Sequence, residues 1–129
     1  MKSRGFWIAA FIAYLLFIGM VSAGAYLRIL PNHINALPYF DKLAHFLLLG
    51  GASYLSHRAL SGRCIARSKL PLGPFIIGAI SVIDECYQAF VPWRAFSLGD
   101  MACNLAGVVV FGWMASRHET ILPSQNKSL

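Results

Sequence analysis

The sequence predicts an all-α polytopic membrane protein with four transmembrane helices and both termini cytoplasmic. Three observations predict it. The chain has 129 residues, of which 57% are hydrophobic and only 12% charged, and its mean hydropathy is +0.60; a soluble domain carries about 25% charged residues. The apolar residues gather in four segments, each near the roughly 20 residues that cross a hydrocarbon core. Lys and Arg concentrate in alternate connections, as they do when short loops alternate between the two sides of a membrane. The length suits a single domain.

The first helix is expected over about residues 6–27, a run without a charged residue. "MKSR" followed by this run and "VSAGA" also has the layout of a signal peptide with a small-residue cleavage site. The run is long for a signal sequence, a retained anchor accounts for it better, and the orientation of the rest is the same either way. The second helix is expected over about 38–60 and has the shortest uninterrupted apolar part. The third covers about 71–90. Pro71 and Pro74 suit its first turn, where their missing N–H groups would have no partner anyway, and Pro92 follows its end. The fourth covers about 97–116, with Ser97 and Asp100 forming a start like a capping box. Residues 117–129 read as a loose polar tail.

Orientation follows from the basic residues. Lys2 and Arg4 precede the first helix, Arg58, Arg63, Arg67 and Lys69 lie between the second and third, and Arg117 and Lys127 follow the fourth. The opposite side holds Arg28, Lys42 and Arg94. If the second segment did not cross, the basic middle loop would lie outside. The net charge of +6 does not indicate nucleic acid, because the cations are spread among short segments instead of lining one face. Cys64, Cys86 and Cys103 are odd in number and lack metal-ligand spacing; they read as small buried apolar residues, with no disulfide expected.

Four of the five acidic residues fall in three pieces: "YFDKLAHF", "IDECYQAF" and "WRAFSLGDMACN". All three lie at the non-cytoplasmic ends of helices. Asp41 and His45 are four apart and share a face, as do Asp84 and Gln88; Asp100, Asn104 and Gly107 follow the same period. An ionised group facing lipid at the helix centre costs about 3 kcal/mol or more, so the stripes are expected to face one another around a small polar cleft. Gly107 and the pair Gly50–Gly51 would let helix backbones approach closely. The loop from Val91 to Phe96 is short enough to make helices three and four antiparallel neighbours.

Each residue also has a plainer reading. Asp41 can be a helix cap near the surface, Lys42 can snorkel, and His45 can make one hydrogen bond and nothing more. Glu85, adjacent to Asp84, points elsewhere, toward a cation or water. Ser97 can be only a cap, and Asn104 can be interhelical glue. Arg94 can clamp either Asp84 or Asp100. Asp84, Arg94 and Asp100 are the hardest to reduce to packing.

The segments "DKLAHF" at 41–46 and "DECYQAFVPWRAFSLGDMACNLAG" at 84–107 resemble the VanZ-like family of small bacterial membrane proteins. The family pattern falls here on Asp41, Lys42, His45 and Phe46, on Asp84, Glu85 and Gln88, and on Arg94, Ser97, Asp100, Asn104 and Gly107. The match covers the last three helices; the first matches only in being apolar. Trp93 departs from it, since members often have Gly before the Arg. The bulky ring can reshape the loop or rest among headgroups. The family's namesake is associated with teicoplanin resistance, so the resemblance implies a multi-pass protein of the bacterial inner membrane with a role in the cell envelope. It supplies no reaction.

Three functions follow from the polar constellation. The first is an envelope enzyme or modifying factor acting on a lipid headgroup, a lipid-linked sugar or a cell-wall precursor at the outer leaflet. Asp84, Asp100 and His45 are then the catalytic candidates: the two carboxylates as general base and nucleophile-orienting group, and His45, oriented by Asp41, as proton shuttle. Arg94 and Lys42 suit a phosphate, with Gln88, Asn104, Asp41 and Glu85 as further binding residues. Asp84, Asp100 and His45 also have the donor chemistry for a divalent metal, but no spacing specifies one and no metal ligands are assigned. The second function is a binding or scaffold protein without turnover. The third is a small proton-coupled transporter; against it, helices three and four become apolar toward the cytoplasm. The expected partner is a membrane lipid or lipid-linked molecule, not a nucleic acid, and a homo-oligomer remains open.

Overall fold

The computed structural model describes residues 2–29 and 39–121, without the side chains of Thr120 and Ile121. Four helices form among them: α1 (Arg4–Tyr26), α2 (Phe40–Ala59), α3 (Leu72–Gln88) and α4 (Leu98–Ile121). No strand forms among the described residues; a lone bridge pairs Cys64 with Pro71 in the loop between α2 and α3. Two helices, Arg4–Tyr26 and the Leu98–Glu119 part of α4, are long and apolar enough to cross a membrane. By the same measure α3 falls short in length, at 17 residues, while α2 reaches 20 residues but carries more polar groups.

Local sequence sets the ends. Ser3 caps α1 by accepting the Phe6 N–H at 3.3 Å. Pro71 is the N-cap of α3 and Pro74 its third residue, so neither missing N–H breaks a helical bond. Ser97 accepts the Asp100 N–H at 3.3 Å, the capping bond that the sequence suggested. The exit from α2 is turned by Gly62 at φ 69°, a left-handed conformation natural to glycine, with its N–H on the His57 carbonyl at 3.0 Å. The expected boundary of the second helix at Pro38 lies outside the described residues. The described helix begins at Phe40, so Lys42 sits in its first turn.

The fourth helix runs five residues beyond the expected end, through a stretch read as the start of a loose tail. The reason is a set of polar contacts that hold it. Glu119 meets His57 at 3.2 Å and Arg58 at 3.9 Å, and Tyr54 bonds His118 at 3.0 Å. Arg117 stacks over Trp113, 4.8 Å from its ring centroid. The rest of the expected tail, residues 122–129, lies outside the described residues.

α2 is central and packs against the other three helices, most closely against α4. A Cβ at Gly107 would collide with the Phe46 carbonyl and lie 3.2 Å from the Gly50 backbone nitrogen. The two backbones are therefore in direct contact, as small residues permit between membrane helices. Gly51 serves α1 instead: the space its Cβ would fill holds the Tyr14 hydroxyl, which donates to the Leu48 carbonyl at 3.1 Å.

The distribution of side chains is the reverse of that in a water-soluble bundle. The buried set contains Ser53, Ser56, Glu85, Gln88 and Asn104. Leu16, Met20, Ile83 and Val109 are each at least 66% exposed. Water would drive those large apolar groups inward, whereas hydrocarbon leaves them outside and draws backbone and side-chain polar groups into mutual contact. These are the properties of a membrane protein. Cys64 and Cys86 are exposed and Cys103 half-buried, which corrects the expectation of buried cysteines: Cys86 lies on the outward apolar face of α3.

Replacing Gly107 with leucine should separate α2 from α4. Overpacking of this kind costs about 1–3 kcal/mol. Thermal melting in detergent should show a clear loss for Gly107→Leu and none for Gly19→Leu, because nothing lies within 4 Å of a Cβ at Gly19.

Candidate functional site

The three polar pieces of sequence do meet, at the end of the bundle formed by the close of α1 and α3 and the start of α2 and α4. They form two hydrogen-bonded networks instead of one open cleft.

The first network lies between α2 and α4. The Lys42 ammonium binds Asp100 Oδ1 at 2.9 Å, and the Asp100 side chain is 13% exposed. Lys42 is thus paired and not simply snorkelling. One turn further in, His45 Nδ1 lies 2.9 Å from the Asn104 carbonyl oxygen. That oxygen can only accept, so the ring proton sits on Nδ1 and Nε2 is turned toward Asp41 Oδ1, 3.7 Å away. Asp41 is in the first turn of the helix, whose N-cap is Tyr39, so it is not the cap residue. The periodicities 41–45 and 100–104–107 are what bring these groups together, and the Gly107–Phe46 contact sets their separation.

The second network joins α3, the α3–α4 loop and the end of α1. Asp84 accepts from the Tyr26 hydroxyl at 2.9 Å and from Gln88 Nε2 at 2.9 Å, so each of its oxygens has a donor. Arg94 Nη2 donates to Gln88 Oε1 at 2.8 Å and its guanidinium lies 5.1 Å from the Tyr26 ring centroid. Arg94 makes an ion pair with neither Asp84 nor Asp100 among the described residues. The expected clamp is indirect, through the Gln88 amide. Trp93 donates from Nε1 to the Tyr26 carbonyl at 2.9 Å, which latches the loop onto α1. Its indole is half-exposed, with the Arg28 guanidinium 6.0 Å from its centroid.

Glu85 connects the two halves. Instead of facing a cation or water outside, it is 1% exposed, and its Oε1 accepts the Ser97 N–H at 3.1 Å. The carboxylate ties the end of α3 to the start of α4. Oε2 has no partner among the described residues.

The expected grouping of Asp84, Asp100 and His45 is therefore divided. Asp41, His45 and Asp100 each bring a ligand atom within 4.8 Å of the others. That set has the oxygen and imidazole donors of a divalent-metal site, with Lys42 already neutralising Asp100. Asp84 belongs to the other network.

Sequence reasoning missed Tyr26, which sits in the one helix outside the motif pattern. Its position at a helix end, two residues before Arg28, is ordinary for an interfacial aromatic and gave no sign of the bond to Asp84. It also missed the polar contacts of Tyr54, His57, Arg58, His118 and Glu119 at the opposite end. The bundle does not become uniformly apolar there, although the run "SHR" at the close of the second helix was a visible sign.

The second network has a stability signature. Tyr26→Phe and Gln88→Leu should each destabilise the protein by about 0.6–1.7 kcal/mol, the scale of interhelical hydrogen bonds in membrane proteins. Because both donors serve one carboxylate, the double variant should fall short of the sum in a denaturant-melting cycle.

No curated protein and no solved structure matches the chain significantly. A family model described as VanZ/LLP1 matches residues 6–118. That span takes in most of each of the four helices and both networks, including α1, which the sequence motifs had left aside. The chain belongs to the VanZ/LLP1 family.

Proposed function

We propose that this protein is a four-span component of the cytoplasmic membrane, with both termini and the basic α2–α3 loop on the cytoplasmic side. Its two polar networks then open on the outer leaflet and take the anionic headgroup of a lipid, a lipid-linked sugar or a cell-wall precursor. The observation that supports this best is the gathering of Lys42, His45, Arg94 and four carboxylates at one end of a bundle whose flanks are apolar. Arg94 offers a planar fork and Lys42 a point charge to phosphate. His45 is the proton carrier of this reading: Asn104 fixes its ring, and Asp41 stabilises the imidazolium when Nε2 takes a proton. Asp84 and Asp100 are the acceptors that hold or activate a substrate hydroxyl. The family's namesake extends the proposal to glycopeptide (teicoplanin) susceptibility.

A second reading, binding without turnover, has its own support. Asp84 has both oxygens engaged, and Asp100 is paired with Lys42. Carboxylates satisfied in this way suit a receptor or scaffold as well as a catalyst.

Mass spectrometry of membrane lipids and cell-wall precursors separates the two. Cells lacking the gene are complemented with the native chain, His45→Asn or Asp84→Asn at matched abundance. Turnover predicts one species that changes with the native chain and not with the variants. A profile identical in all strains, with saturable binding of headgroup analogues, selects the binding reading. Topology is tested on Cys64, which is exposed in the α2–α3 loop, in a Cys86→Ser, Cys103→Ser background. A membrane-impermeant maleimide should label it only after permeabilisation; labelling of intact cells would place that loop outside and reject the orientation.

A further inference from the structure

Away from both polar networks, a groove of about 810 Å³ runs between α3 and α4. Its walls are apolar almost throughout, from Ile83 and Leu105 at one end to Trp113 at the other, with Gly78 as part of the floor. On α3 it extends from near Leu72 to Ile83 and on α4 from Leu105 to Ser116. At 1.5 Å per residue, either stretch is about 17 Å long. Half of a roughly 30 Å hydrocarbon core is about 15 Å, so the groove has the length of one leaflet.

Its two ends differ in charge. The deep end, at Ile83 and Leu105, has no ionisable lining residue among the described residues. The other end opens beside Lys69, which lines the groove and has no ion pair or hydrogen bond among the described residues. Across the mouth stands Trp113, also lining, with the Arg117 guanidinium stacked on its ring. A slot of one-leaflet length, apolar within and flanked by two cations where it meets water, is complementary to an amphiphile with an acyl chain and a negative head.

We propose that the α3–α4 groove binds one anionic phospholipid, with an acyl chain along Gly78 and Val109 and the phosphate between Lys69 and Arg117. The site is separate from the outer-leaflet networks. It rests on the helices lying in a bilayer, but not on which side of that bilayer faces the cytoplasm. In the orientation proposed above, the ligand comes from the cytoplasmic leaflet. Cations close to an anionic headgroup contribute about fivefold in affinity each, which is selectivity beyond the solvation any lipid gives an apolar face.

The test uses the full chain in vesicles that contain dibrominated phosphatidylglycerol or dibrominated phosphatidylcholine, symmetric across both leaflets. Bromines quench a tryptophan they touch, and the Trp113 signal is obtained by subtracting the Trp113→Phe variant. At equal mole fraction, phosphatidylglycerol should compete for Trp113 at least about fivefold better than phosphatidylcholine. The preference should disappear in Lys69→Gln, Arg117→Gln, and should fade in about 1 M salt, where the Debye length is about 3 Å. Both substituted side chains are exposed, and the salt series reads the same term without any substitution. Equal quenching by the two lipids would overturn the proposal and leave only nonspecific solvation. A preference that survives both salt and charge removal would also overturn it. So would a Trp113 that neither lipid quenches, because the groove would then be covered by protein, such as a second copy of the chain.

Discussion

The contact of Gly107 with the Phe46 carbonyl fixes how close α4 lies to α2, and the rest of the first network depends on that distance. Asn104 is one turn before Gly107 and Asp100 one turn before that; His45 is next to Phe46 and Lys42 one turn before it. With the backbones touching at 46 and 107, a short amide reaches an imidazole at 2.9 Å and a short carboxylate reaches an ammonium at 2.9 Å. A side chain at 107 would push these pairs past hydrogen-bond range. In hydrocarbon the separated groups would have no water to replace the lost partner. The glycine is thus the geometric condition for the polar chemistry above it.

The same solvent explains why the core is so polar. Lipid exerts no hydrophobic drive between helices, so association relies on close packing and hydrogen bonds. Ser53 donates to the Val108 carbonyl at 2.7 Å across the α2–α4 seam, and Glu85 receives the N–H of Ser97, the residue just before α4. Each bond joins two helices that short loops alone would not orient. The ends of the bundle repeat the principle with charged groups, through Lys42 and Asp100 at one end and His57, Arg58 and Glu119 at the other.

Much of this was legible in the sequence, and the exceptions have a common cause. The helices could be read because apolar run length is a local property. The shared faces of Asp41 with His45, and of Asp100 with Asn104 and Gly107, could be read because helical period is local too. Which face meets which is not local. Asp84 and Asp100 carry the same charge at the same depth, yet one turns to Tyr26 on α1 and the other to Lys42 on α2. Nothing in the spacing of α3 or α4 reveals that α1 supplies a donor. The long fourth helix escaped for a similar reason: its last turn looks like a polar tail until Glu119 is set beside His57 and Arg58.

On the proposed reading, the arrangement of the two networks limits how a headgroup can enter them. Asp100 and Lys42 neutralise each other, so an anionic headgroup arriving at Lys42 must compete with a carboxylate already bound at 2.9 Å. If it wins, Asp100 is released beside Asp41, and two carboxylates flank His45. Arg94 has no such competitor among the described residues: it is held by a neutral amide and an aromatic face, which suits it to a phosphate on the proposed reading. On the proposed headgroup reading, capture by Arg94 comes first and displacement of Lys42 from Asp100 second. Entry to the first network is then controlled by one ion pair.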